Sequence, residues 1–150
     1  MSTYKHPVSV LVVIHTPKFE ILLLERAQHP GYWQSVTGSQ EIDESLLETA
    51  QREVMEETGL DCRRFVLKDW QQASTFEIFP EWRHRYAPGV TQNTEHVFSL
   101  QVPAIMPVTI APAEHRQYIW LPQEDAARQC FSASNCDAIL ALPGPEAVAK

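Results

Sequence analysis

With 150 residues, 44% of them hydrophobic, and a formal net charge of −7, the chain has enough apolar side chains for one core of ordinary domain size, and a single domain over residues 1–150 is expected. The acidic balance argues against a general nucleic-acid binder, whose phosphate neutralisation needs a basic excess, and no apolar run approaches the roughly 18 to 20 residues that span a bilayer. Cys62, Cys130 and Cys136 are odd in number and form no C-x-x-C pair, which favours reduced thiols in a cytoplasmic protein over disulfides or zinc.

Residues 8–14 form a β-branched run and residues 20–25 a second apolar run after the T-P-K turn, so two strands of a hairpin are predicted. Residues 33–37 make a short strand leading to Gly38. A helix follows over residues 45–58, opened by the S-x-x-E capping box of Ser45 and Glu48 and closed by Gly59, which suits the left-handed residue past a helix end. Residues 64–71, 74–79, 94–102 and 118–121 read as further strands, residues 123–129 and 134–142 as short helices, and residues 143–150 as a frayed tail. The order of strands, one long helix, strands, then helices predicts a three-layer α/β/α sandwich around a mixed β-sheet.

The predicted helix carries an acidic cluster. At 3.6 residues per turn, Glu53 and Glu57 lie only about 40° apart around the axis. Glu56 flanks them, and Leu46, Leu47, Ala50 and Val54 form the packing side. Three like charges within about one turn repel, and Arg52, four residues before Glu56, can pair with one carboxylate but cannot neutralise three. Bound Mg²⁺, or Mn²⁺, is the natural counter-charge. The competing reading is a solvated acidic face.

The wider spacing decides between them. Gly38, Glu44, Arg52, Glu53, Glu56, Glu57 and Gly59, with Val54 and Leu60 at the bulky aliphatic positions, match G-x5-E-x7-R-E-U-x-E-E-x-G-U, where U is such an aliphatic residue. By that match the chain is identified as a member of the Nudix hydrolases. The resemblance implies a loop-helix-loop metal site and hydrolysis of a diphosphate linked to another moiety. It assigns Glu53 and Glu57 to the metal, with Glu114 from a remote loop completing the shell. Arg52 would orient the glutamates, Glu56 would be the base or a third ligand, and Gly38, Glu44 and Gly59 would shape the loops. Glu114 could equally be an exposed loop acid, and Glu95 and Glu77 are weaker rivals for its role.

Residues 33–39 (WQSVTGS), 76–79 (FEIF), 83–95 (RHRYAPGVTQNTE) and 132–135 (SASN) further resemble the bacterial branch of that family that acts in folate synthesis. This resemblance implies Mg²⁺-dependent hydrolysis of 7,8-dihydroneopterin 3′-triphosphate to dihydroneopterin monophosphate and pyrophosphate. Lys5, Arg26, Thr37 and Ser132 would meet the phosphates or polar groups of the substrate, and Phe76, Glu77, Ile78 and Phe79 would lie along its ring. Core packing is the other reading of Phe76, Phe79 and Trp33. The run Arg83, His84, Arg85, Tyr86 is either a substrate-facing loop or a solvated charge cluster. The alternatives are a nucleoside triphosphate pyrophosphatase acting on dATP or an oxidised nucleotide, and a non-catalytic nucleotide-binding module. A small-molecule triphosphate is the expected partner, with no nucleic acid, membrane or obligate protein partner.

Overall fold

The computed structural model describes residues 4–144. Its elements in chain order are the strands Val8–His15 (β1), Glu20–Arg26 (β2), Trp33–Gln34 (β3) and Val36–Ser39 (β4), the helix Leu46–Thr58 (α1), the strands Val66–Glu77 (β5), Gln92–Gln101 (β6) and His115–Pro122 (β7), and the helices Gln123–Gln129 (α2) and Ala133–Leu140 (α3). One mixed sheet runs in the order β3-β2-β1-β6-β5, with β4 also paired to β1 and β7 to β2. Among the strand pairs of the described residues, only β1–β6 is parallel; it runs from Val8 opposite Thr94 to His15 opposite Gln101. The described helices are too short to cross a membrane.

β1 is apolar almost throughout because both of its faces are covered. Val10, Val12 and Ile14 join Leu22, Leu24 and Phe98 in a core closed by Ala50 and Val54 of α1. Leu11 and Val13 join Ile21 and Leu23 in a second core closed by Ala126, Ala127, Ala138 and Ile139 of α2 and α3. Alternation along one strand therefore feeds two cores. The expected three layers are present, α1 on one face of the sheet and α2 with α3 on the other.

Three strand expectations are corrected. The two strands predicted at 64–71 and 74–79 are one strand, β5, whose pairing with β6 is interrupted between Asp69 and Ala73. There Gln71 adopts φ 55°, so the break in sequence pattern marks a bulge and not a turn. The single strand predicted at 33–37 is divided, because β3 pairs with β2 and β4 with β1. Ser35, between them, is held by Asn135: its N–H donates to Asn135 Oδ1 at 2.8 Å and its Oγ accepts from Asn135 Nδ2 at 3.0 Å. The β1–β2 hairpin forms, but its register rests on His15 opposite Ile21. Most of β1 pairs instead with β4 and β6.

Of the expected tail, residues 145–150 lie outside the described residues. Pro143 and Gly144 are docked: the Pro143 carbonyl accepts from Lys68 Nζ at 3.2 Å, and a Cβ on Gly144 would collide with the Trp70 indole. Trp70 itself is buried and donates to Ser99 Oγ.

Candidate active site

The helix α1 is set at both ends as its sequence dictates. Glu48 N–H donates to Ser45 Oγ at 3.0 Å and Ser45 N–H to Glu48 Oε1 at 2.8 Å, which completes the capping box. Gly59, at φ 76°, donates its N–H to the Met55 carbonyl. A side chain is disfavoured at that left-handed position.

Arg52 organises the loop that enters the helix. Its Nε donates to Glu44 Oε2 at 2.6 Å and its Nη2 to Glu44 Oε1 at 3.0 Å, a two-point carboxylate grip. Nη2 also reaches the Ser39 carbonyl at 2.9 Å, and Nη1 reaches Glu53 Oε2 at 3.0 Å and Glu56 Oε1 at 3.3 Å. The i,i+4 contact with Glu56 expected from sequence is present, but the tightest partner is Glu44, eight residues earlier. This guanidinium, with lesser help from the Glu41 N–H and Thr49 hydroxyl, holds the Glu44 carboxyl down at about 2, against the opposing effect of desolvation. Because the native pKa is depressed, the stabilisation is complete above the unfolded value of 4.5 and is lost as pH falls through about 2. Glu44→Gln is therefore expected to flatten the acid limb of stability across that window. It should also lower kcat by about tenfold, roughly 1.4 kcal/mol, because Arg52 loses the anchor that aims it at Glu53. Acid titration followed by circular dichroism, together with steady-state rates, checks both.

Glu53 and Glu57 are both buried, at 8% and 2% exposure. Burial raises the pKa of each, and for Glu57 the adjoining Glu53 carboxyl raises it further, followed by the charge of Glu114. Glu57 Oε1 has no hydrogen-bond donor; the nearest cationic candidate, His115 Nε2, stands 3.8 Å away. His115 is itself held neutral, its pKa lowered to about 4 by burial and then by the Arg26 charge. On the other side, a Cβ at Gly38 would overlap the Glu53 carboxyl group, so the missing side chain is what admits that acid.

This arrangement fits a hard divalent cation. It offers adjacent buried carboxylates, a lone oxygen without a donor, and no sulfur or imidazole ligand in the charged role. Among the described residues no three acidic, histidine or cysteine side chains gather closely enough to enclose an ion. Most of the shell would thus be left to water and substrate oxygens, as Mg²⁺ favours.

A cavity of about 610 Å³ opens beside the acids. The structure brings Lys5, Arg26, Thr37, Gly38, Glu57, Phe76, Glu77, Ile78, Phe79, Glu114 and Ser132 to its wall. Arg52, Glu53 and Glu56 do not line it, and the Glu56 side chain is 54% exposed. Glu114 is exposed and shares the cavity with Glu57 without closing on the Glu53–Glu57 pair. Thr37 Oγ1 donates to the Val10 carbonyl, and Ser132 caps α3 by accepting from Asn135 N–H at 3.2 Å. Glu77 is tied to Arg83 and Gln92.

Phe76 and Phe79, at 40% and 41% exposure, are not core residues. Phe79 belongs to a ring cluster with Trp82 and Phe131, and Tyr32 stacks on Phe131 at 4.7 Å between centroids. The Arg26 guanidinium lies 4.8 Å from the Trp82 ring centre, with Arg85 at 5.7 Å on the same residue. Sequence reasoning missed Trp82, Phe131, His115 and Asn93. Trp82 immediately precedes the basic run and Phe131 the SASN segment, so both could have been found by widening those motifs by one residue. The basic run itself divides: Arg85 and Tyr86 reach the cavity, whereas Arg83 turns back to Glu77 and the Ile78 carbonyl. Trp33 packs against the α2–α3 core.

The NUDIX domain family model matches residues 5–139. The chain belongs to the Nudix family. Among Nudix proteins, it is 45% identical over 139 residues to the dihydroneopterin triphosphate diphosphatase of Escherichia coli K12, covering 91% of each chain. The protein of the same name from Haemophilus influenzae is 40% identical over 143 residues, with 93% of this chain and 89% of that one covered. The solved structure of the E. coli dihydroneopterin triphosphate pyrophosphohydrolase superposes with a TM-score of 0.88 at 44% identity, covering 94% of this chain and 97% of that chain. A Caenorhabditis elegans Ap4A hydrolase, at 19% identity and a TM-score of 0.71, shares the Nudix fold.

Proposed function

We propose that this chain is a Mg²⁺-dependent pyrophosphohydrolase that converts 7,8-dihydroneopterin 3′-triphosphate and water to dihydroneopterin monophosphate and pyrophosphate, acting in folate synthesis in the cytoplasm. The observation that carries the reading is one cavity that joins Glu57, one member of the buried acid pair, to a cationic flank and an aromatic wall. The likeness to the two diphosphatases, over about nine tenths of each chain, supports the choice of substrate.

Each group then has a task. Glu53 and Glu57 would hold the cation, with Glu114 as a further oxygen ligand, and Mn²⁺ could serve in place of Mg²⁺. The bound ion would supply charge neutralisation at the bridging and leaving oxygens. Arg52, itself fixed by Glu44, keeps Glu53 aimed. Lys5, Arg26 and Arg85 face the polyphosphate as fixed positive charge, while the Thr37 and Ser132 hydroxyls offer polar contacts beside it. Phe76, Ile78 and Phe79, with Trp82 and Phe131, give the flat ring apolar surface, and Glu77 steadies that strand through Arg83. Glu56, exposed beside the acid pair, takes the proton from the attacking water.

Pyrophosphate release from dihydroneopterin triphosphate, compared with dATP and with and without Mg²⁺, tests this. The expected result is at least a tenfold advantage in kcat/KM for the pterin, about 1.4 kcal/mol, and no release without the ion. Equal or faster turnover of dATP would make it a nucleotide pyrophosphatase. No release from either would make it a binding module.

A further inference from the structure

The floor of the cavity carries two polar side chains for which the reaction has no use. Asn93 and Glu95, on β6, are 3% and 6% exposed, and both line the cavity. Two residues apart on a strand, they project to the same face about 6.8 Å from each other along the chain. Asn93 Nδ2 is spent on Ser9 Oγ at 2.7 Å, which leaves its Oδ1 turned away from that bond and without a donor. Glu95 Oε1 is likewise buried without a donor. Asn93 stands opposite Phe76 in the β5–β6 register, and Glu95 opposite Ser9 in the β1–β6 register. Asn93 thus adjoins an aromatic side chain that lines the same cavity, with Glu95 two residues along the same strand face.

Buried acceptors left without donors are costly, and more so for a charged group. No cation offsets the acid: burial pushes the Glu95 carboxyl up, with only the Ser134 hydroxyl acting in the opposite direction. A ligand edge rich in N–H donors would satisfy both oxygens at once.

We infer that Glu95 Oε1 and Asn93 Oδ1 read the donor edge of a 2-amino-4-oxopyrimidine ring, its ring N–H and 2-amino group, and so select pterins over adenine. This rests on the proposed pterin substrate and adds the atoms that recognise it. Adenine offers an unprotonated ring nitrogen at the corresponding place and leaves at least one acceptor unpaired. Sites built to hydrogen-bond a substrate reject analogues that lack the matching group. Guanine shares the donor edge and is the informative control.

The test uses neopterin, which carries no phosphate, bound without metal and followed by its own fluorescence, alongside kcat/KM for dihydroneopterin triphosphate, dGTP and dATP. Glu95→Leu removes the acceptor and keeps the site apolar. It is expected to weaken neopterin binding at least tenfold, and to lower kcat/KM at least tenfold for dihydroneopterin triphosphate and dGTP while leaving dATP within about threefold. Unchanged neopterin affinity, or equal loss on all three substrates, overturns the inference. A second arm needs no variant: in the wild-type protein, the 2-dimethylamino analogue of neopterin should bind at least tenfold more weakly than neopterin, and equal affinity overturns the inference. Failure of the substrate reading looks different, since there the wild-type protein prefers dATP to dihydroneopterin triphosphate whatever Glu95→Leu does.

Discussion

Glu57→Gln is expected to abolish Mg²⁺-dependent pyrophosphate release, with kcat falling by about 10³-fold, roughly 4 kcal/mol of barrier. The fold should survive, because Gln has the same outline and the position is unfavourable to charge in the first place. Glu57 is raised well above its ordinary value, by burial first and by Glu53 next. The native state therefore keeps a proton that the unfolded chain gives up. Without metal, stability is fully present below 4.5 and is lost as pH rises through the raised native value. In EDTA at neutral pH, Glu57→Gln should melt at or above the wild-type temperature and show a flatter pH slope. Added Mg²⁺ should raise the Tm of the wild-type protein and not that of the variant. Retention of more than about a tenth of kcat, or a lower melting temperature with an unaltered slope, would remove Glu57 from the metal site.

Gly38→Ala is expected to separate activity from stability even more sharply. An added methyl overlaps the Glu53 carboxyl group, the free end of a side chain that can swing away at little cost to the fold. Swinging away is what the chemistry cannot tolerate, since that carboxyl must stay between Arg52 and Glu57. A loss in kcat of about 10²-fold, near 2.7 kcal/mol, is expected, with Tm within a few degrees of wild type and weakened Mg²⁺ binding by calorimetry. Wild-type rates in Gly38→Ala would show that Glu53 works equally well from another position.

The parts legible in the sequence were those whose physics is local. The capping box at Ser45 and Glu48, the left-handed Gly59 and the stripe of Glu53 and Glu57 follow from spacing along one helix. The strands around β1 follow from apolar runs. Less legible was anything that depends on pairing across the sheet. The split at Ser35 is imposed by Asn135, one hundred residues later, and the bulge at Gln71 leaves a gap that imitates a turn. The core alternative for Phe76 and Phe79 failed because apolar identity cannot say what covers a side chain: Phe76 near the end of β5 and Phe79 just past it both open on the cavity. His115 had no signal of its own, and Asn93 lay within the 83–95 segment without being singled out. They matter only because the fold brings one beside Glu57 and the other to the cavity floor.

The alternation along β1 has a consequence for how the molecule comes apart. Val10, Val12 and Ile14 back the core under α1, and Leu11 and Val13 back the core under α2 and α3. Neither core owns a wall that the other can spare. Releasing either helical layer bares one side of the strand that supports the other, so the two halves should melt together as one cooperative unit. The metal-binding helix thereby draws part of its thermal resistance from packing on the far side of the sheet.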